Sequence, residues 1–510
     1  MDLELQKTDI NESVVISSVA ASQNLDTQLS LPDYCSDIKR ILKCTVEPGI
    51  SNVSLKGERL SATGGVVVRL IYVGEDDTVD CYETETDLSV TGEIKNPPQN
   101  ALVFAKAKTD YINCRATSQR RVSVSGNIGV NFIVYSENKR EVISDCKNKG
   151  MQVRKVKVKA RNLVCQGEKS FDIGETVSID NDKPDIGKIV CTTGYCIIDS
   201  HKAVAGKLLI KGELCCDIVY CTQKDDSRLC KVTHTMPVNQ IIDLAGIDEK
   251  SLCDVSAKLL RLMVNVKPDS TGKNRLLELA AKVCAFVKCN CVKEFEAVDD
   301  CYSTEGEING KFENYSFFCP AMKIENEKQV RKTVDFSKGI KDILYAWPLE
   351  ATSKVSAKKD SALVSGSILV ALLYKDDKDN ITYSEKTVDY EFQEKMQGEA
   401  ERYSGECDCI VKNITCEMKG KESAEINAEI KLSGEVLSVA EHKLCAQIDE
   451  DSMVIKETQN PALIVCFSQK GEKIWDMAKK YSTTVKAICE ENGISGDVLS
   501  EAGMIIIPSV

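Results

Sequence analysis

The chain has 510 residues, with 66 Lys+Arg against 78 Asp+Glu and a formal net charge of −12, so a nucleic-acid partner is disfavoured and no basic stripe is visible. Aromatic residues make up only 5% and three residues are His, which leaves little for a histidine-based catalytic triad, while 24 Cys are many. No run approaches the roughly 18 apolar residues of a membrane span, and the N-terminal Met1-Asp-Leu-Glu-Leu-Gln-Lys lacks the basic and apolar regions of a signal peptide, so three or four domains in the cytoplasm, without an integral membrane segment, are expected.

From the N-terminus onward, three stretches align without a gap over about fifty residues. They run from Asp37-Ile38-Lys-Arg-Ile41 to Gly64 and Tyr72, from Asp185-Ile186-Gly-Lys-Ile189 to Gly212 and Tyr220, and from Gly339-Ile340-Lys-Asp-Ile343 to Gly366 and Tyr374. The spacings agree, since 72 − 41, 220 − 189 and 374 − 343 are each 31 and Gly precedes Tyr by 8 in every case. Another apolar position, Val90, Val238 or Phe392, follows each Tyr by 18. The periods, 189 − 41 = 148 and 343 − 189 = 154, are too long for a solenoid unit, so each repeat should own a core.

The segment before each Tyr alternates as a strand: Val66, Val68, Leu70; Leu214, Cys216, Ile218; Ile368, Val370, Leu372. Its intervening residues (Val67, Ile71; Cys215, Val219; Leu369, Leu373) are apolar too, as in a strand covered on both sides. The polar segments after the Tyr, Gly74–Asp77, Gln223–Asp226 and Lys375–Asp379, predict hairpins. Arg121–Gly126, Leu277–Val283 and Ala424–Leu432 also read as strands, and few long helices appear before the C-terminus. The expected architecture is mainly β: three tandem β-sandwich-like repeats at 1–165, 166–325 and 326–450, a linker at 451–460 and a small domain at 461–510.

The cysteines have no Cys-x-x-Cys pair, and His201, His234 and His442 are not spaced with them as zinc ligands. Cys216 fills the slot of Val68 and Val370, so the thiols are expected to be small, reduced hydrophobes in a metal-free protein. Gly-x-Ser-x-Gly, Walker-type and His-Glu-x-x-His motifs are lacking, so no catalytic residue, cofactor or metal is assigned.

In the last fifty residues a period-2 run (Leu463, Val465, Phe467) marks a strand leading to a turn at Gly471. Ile474, Ala478 and Tyr481 then recur at helical spacing with Met477 beside them, Thr484 is placed to cap a second helix, Gly493 to end it, and Met504–Ile507 to close a strand before Pro508. This strand–helix–helix–strand pattern resembles a LysM domain, on Gly471, Ile474, Trp475, Ala478, Tyr481, Asn492, Leu499, Gly503, Ile507 and Pro508. Such domains bind and do not catalyse. Where glycan-binding members carry Gly-Asp-Thr, this chain has Gly471-Glu472-Lys473, and Met504 stands where Gln is common, which argues against a sugar site. Trp475 lies about 100° from the apolar stripe, on the flank of Lys479, and is expected to be at least half exposed, as a rim of the core or as a protein-binding anchor.

Tripled β repeats followed by such a module resemble the SPOCS-repeat proteins of spore-forming Firmicutes. The resemblance implies a non-enzymatic adaptor of spore coat assembly, in the mother-cell cytoplasm at the forespore surface. Its LysM domain would bind the coat-nucleating ATPase SpoIVA through Lys473, Trp475 and Lys479, with Asn492, Ile494 and Ser495 as the neighbouring loop. The β repeats would recruit other coat proteins or self-associate. The competing expectation is a peptidoglycan-binding LysM protein.

Overall fold

The computed structural model describes residues 4–75, 77–148, 150–222, 229–337, 339–455 and 463–508. The first strands are β1 (Leu5–Ser30), β2 (Ile38–Lys56), β3 (Arg59–Gly74), β4 (Val79–Glu93), β5 (Leu102–Ser118) and β6 (Arg121–Cys146). They form two antiparallel sheets, ordered β2-β3-β4 and β1-β6-β5. The pattern recurs with β7 (Met151–Ser178), β8 (Ile186–Val204), β9 (Lys207–Thr222), β10 (Leu229–Asp243), β11 (Leu252–Pro268) and β12 (Asn274–Ser303), ordered β10-β9-β8 and β11-β12-β7. It recurs again with β13 (Gly306–Asp335), β14 (Ile340–Lys358), β15 (Ser361–Asp376), β16 (Ile381–Lys395), β17 (Arg402–Met418) and β18 (Ser423–Ile455), ordered β14-β15-β16 and β13-β18-β17. The described chain is therefore mainly β, with six three-stranded antiparallel sheets.

Each pair of sheets shares one buried cluster. Val66, Val68 and Leu70 of β3 meet Val122, Val124 and Phe132 of β6; Leu214, Cys216 and Ile218 of β9 meet Leu279, Val283 and Ala285 of β12; Ile368, Val370 and Leu372 of β15 meet Ile426, Ala428 and Ile430 of β18. The alternation in the sequence thus points inward as expected. Positions 165 and 325 fall within β7 and β13, while the paired sheets are separated by turns after Cys146 and Ser303.

The repeated residues hold equivalent places. Ile41 faces Tyr72, Ile189 faces Tyr220 and Ile343 faces Tyr374, each beside a register shift. A Cβ on Gly64, Gly212 or Gly366 would lie 2.0 Å from the carbonyl oxygen of Gly49, Ile197 or Thr352. The backbone of the neighbouring strand occupies that space, which is why all three repeats keep glycine there. Tyr72 and Tyr220 donate to the carbonyls of Ser36 and Pro184, both at 3.0 Å. The polar turns after the Tyr close hairpins at Gly74–Asp77 and Lys375–Asp379; Asp76 and the expected turn at Gln223–Asp226 lie outside the described residues.

The departure at Gly339 also has a physical reason. Asp185 pairs with Arg275 at 2.7 Å, and that guanidinium also donates to the carbonyls of Lys183 and Asp180 at 3.0 and 2.7 Å, so it clamps the loop between β7 and β8. Arg120 and Asp37 do the same in the first repeat. The amides of Leu31, Ile179 and Phe336 donate to the carbonyls of Arg120, Arg275 and Glu422, so Glu422 stands where the others have arginine. The loop there is also shorter, 340 − 336 = 4 against 38 − 31 = 7 and 186 − 179 = 7. With no long loop to clamp, both members of the ion pair are gone.

Beyond its own core, each repeat contributes to joint cores. Ile71, Val219 and Leu373, at equivalent positions of β3, β9 and β15, meet in one buried cluster with Val79, Val190 and Trp347. This is the second cover expected of the apolar intervening residues, and it reaches Ile71, Val219 and Leu373 only; Val67, Cys215 and Leu369 lie outside that cluster and are partly exposed. Val142, Ala297 and Leu444, equivalent in β6, β12 and β18, meet at the other end with Ile10, Val158 and Phe317. An ion pair also ties the first two repeats, with Lys188 Nζ at 2.6 and 2.8 Å from the Asp80 carboxylate oxygens.

The cysteine expectation needs one correction. Cys253 of β11 and Cys289 of β12 are direct cross-strand neighbours, 4.1 Å apart at Cα, and form a disulfide. Two thiols on the same face of adjacent strands are held in bonding reach by the register itself. Elsewhere packing dominates: burial pushes the Cys216 thiol up to about 12, leaving it neutral.

Candidate protein-interaction site

The C-terminal segment contains β19 (Leu463–Ser468), α1 (Ile474–Lys480), α2 (Val485–Asn492) and β20 (Gly503–Pro508), with β19 and β20 paired antiparallel. β18 continues to Ile455, and the remainder of the linker expected at 451–460 lies outside the described residues. The turn and caps are where the sequence placed them. Gly471 has φ +91°; the Thr484 side chain accepts from the Ala487 amide, and Gly493 ends α2 with φ 62°. Ile474, Met477, Ala478, Ile488, Leu499, Ile505 and Ile507 are buried together, with Tyr481 packed beside them.

The six expected binding residues separate into different roles. Asn492 is consumed internally: its Nδ2 donates to the carbonyls of Ile488 and Ile506, and its Oδ1 accepts from the Ile506 amide at 2.7 Å, tying α2 to β20. Ile494 packs against the small core. Ser495 is exposed, as is Lys473, which precedes α1 with an extended backbone and pairs with Val498 in an isolated bridge.

Trp475 and Lys479 are together on one flank, and that flank is seated on β12. Trp475 Nε1 donates to Asp300 Oδ2 at 2.8 Å, and Lys479 Nζ lies 2.5 Å from Asp300 Oδ1. The Tyr302 ring meets the indole edge-on at 5.0 Å, and its hydroxyl donates to the Thr483 carbonyl at 2.7 Å. Arg154, paired with Asp300 across β7 and β12, places its guanidinium 5.6 Å from the indole centroid while bonding Asp299. Burial raises the Asp300 carboxyl, but the bonds from Lys479 and Trp475 outweigh it and hold it below the usual aspartate value. Asp300, Tyr302 and Arg154 carry no mark in the sequence, because nothing local encodes contact between segments 175 residues apart.

The opposite side of the module is open. Leu463, Val465, Phe467 and Met504 are 46, 57, 74 and 77% exposed. Phe467 pairs with Met504, and Val465 with Ile506, so these side chains share one face of the two-stranded sheet. The alternation at Leu463, Val465 and Phe467 thus marks the outer face, and Ile464 and Cys466 face the core. An apolar face of this kind on a small domain is characteristic of an interaction surface.

Among the described residues, no group of three or more His, Cys, Asp or Glu could hold a metal, and no helix is long and apolar enough to cross a membrane. Residues 185–267 match the family model described as SipL, SPOCS domain, from the clamping Asp185 through β8, β9 and β10 and nearly to the end of β11. That segment is a SipL SPOCS domain, consistent with a spore coat morphogenetic protein. No curated protein and no solved structure matches the chain.

Proposed function

We propose that this chain is a non-enzymatic adaptor of spore coat assembly, in which three sandwich-like SPOCS repeats at 5–146, 151–303 and 306–455 carry a C-terminal LysM domain that binds the coat ATPase SpoIVA. The SPOCS match at 185–267 supports the first part, and the equivalence of Asp37, Gly64 and Tyr72 with Asp185, Gly212 and Tyr220 extends it to the first repeat. The third repeat shares Gly366 and Tyr374 and lacks the clamp. The βααβ order with its caps and turn supports the LysM reading.

The observation that carries the binding role is the outer face of the β19–β20 sheet. Phe467 and Met504 are more exposed than any other large apolar residue of the described chain, and such exposure in water is unfavourable unless a partner covers it. Glu472 and Lys473 stand exposed at the turn where glycan-binding members place short polar groups. The partner surface therefore favours protein over sugar. The test is co-purification of SpoIVA with full-length Phe467→Glu/Met504→Glu protein from sporulating cells, beside a peptidoglycan pull-down. Loss of SpoIVA with unchanged thermal stability is expected; retained SpoIVA, or peptidoglycan binding by the unaltered chain, would refute the reading.

A further inference from the structure

The seat beneath Trp475 has a defined chemistry. Asp300 divides its two oxygens, one accepting from the indole and one from the Lys479 ammonium. Tyr302, two residues on and hence on the same face of β12, supplies the ring that meets the indole and the hydroxyl that bonds Thr483. Arg154 closes the rim at 5.6 Å from the indole. Among the described residues few other groups hold the module: Tyr302 is the sole residue of the repeats in the module's buried cluster. A contact made of one carboxylate, one ring and one cation is exchangeable, because a competitor presenting the same groups recovers each bond as it displaces them.

We propose that the Trp475–Lys479 flank is a binding site for an extended segment bearing a carboxylate and, two residues later, an aromatic ring, and that Asp300-Cys301-Tyr302 occupies this site in cis as a latch. The proposal rests on the reading of the C-terminal domain as a protein-binding module, and it adds a second site on that module, separate from the open β19–β20 face, together with what holds that second site in reserve. A tethered competitor acts at an effective concentration in the millimolar range, so a ligand in trans binds the closed chain weakly and the opened chain much more tightly.

The test uses full-length protein throughout. The probe is a synthetic peptide of residues 296–304 with Cys301→Ser, and the chains are unaltered, Asp300→Ala, Tyr302→Ala and Trp475→Ala, each checked by circular dichroism for an intact β spectrum. Trp347 is buried in the joint core of the three repeats, so a change in tryptophan emission on removing Asp300 or Tyr302 reports Trp475. The expected result is a red shift in both seat variants and peptide binding at least tenfold tighter than to the unaltered chain, abolished by Trp475→Ala. A red shift without tighter peptide binding, or peptide binding that survives Trp475→Ala, would overturn the proposal. A parallel titration with SpoIVA separates the two readings: seat variants that gain peptide affinity but never bind SpoIVA would refute the assigned partner and leave the latch standing.

Discussion

Replacing Gly212 by Ala is expected to unfold the second repeat well before its neighbours. The new Cβ would lie 2.0 Å from the Ile197 carbonyl oxygen and 2.9 Å from Ile198 Cα, both backbone atoms of the paired strand. An ordinary carbon–oxygen approach is about 3.3–3.6 Å, so β8 and β9 must separate by more than about 1 Å at this point. Two ladder bonds at about 1 kcal/mol each are lost, overpacking adds roughly 1–3 kcal/mol, and the stiffer unfolded chain returns less than about 1 kcal/mol. The net cost of about 3 kcal/mol corresponds to a fall of roughly 6–12 °C in melting temperature for a unit of this size. Gly64→Ala and Gly366→Ala, which meet a carbonyl at the same 2.0 Å, should cost the same, and Gly503→Ala, with no atom within 4 Å, should cost nothing measurable. Thermal melting by circular dichroism checks all four. If the three repeat variants melt within 2 °C of the parent, the close approach of the strands is not what selects glycine.

Lys188→Met would leave the Asp80 carboxylate, 5% exposed, without its partner from the second repeat, at a cost near 3 kcal/mol; the double change with Asp80→Asn, which removes the charge and keeps an acceptor for Ser36 and Tyr72, should recover most of it, and a double variant no better than the single would contradict the pairing. Non-reducing peptide mapping should yield one peptide joining Cys253 to Cys289, whose loop of 36 residues sets an upper bound of roughly 3–4 kcal/mol on its contribution; complete alkylation of both thiols in unreduced protein would refute the bond. Asp300 is depressed below its unfolded value, so its stabilisation of the docked module is present above about pH 4 and is lost as pH falls through the lower folded value. Tryptophan emission titrated with acid should therefore be flat from pH 8 to 5 and change only below 4, and a midpoint near 6 would require another titrating group.

What was legible in the sequence is what repeats or is periodic. The interval from Ile41 to Tyr72 reappears at Ile189 and Ile343 because each pair sits opposite one another in a hairpin of the same length. The caps at Thr484 and Gly493 were equally local. The limits of the paired sheets were not, since β7 and β13 run as long strands through positions 165 and 325, where the polar runs 166–170 and 325–329 continue the ladder unbroken. Alternation at Leu463, Val465 and Phe467 located a strand without saying which side faced the core, because the neighbouring Ile464 and Cys466 are apolar as well. Trp475 shows the sharper limit: a residue on the flank of an apolar stripe has the same periodicity whether water, a partner or another part of the chain covers it. In this structure Asp300, 175 positions away, is what meets it.

The joint cores carry an implication for how such a chain can vary. Ile71, Val219 and Leu373 close on one another at one end, and Val142, Ala297 and Leu444 at the other, so every repeat is flanked by both of the others. A linear array always leaves a terminal surface on which another unit can stack. A closed set of three leaves no vacancy: a fourth unit would have nowhere to sit, and deleting one would expose apolar surface on the remaining two. The chain counts to three, and its diversification should proceed by lengthening loops and exchanging edges, while the number of repeats stays fixed.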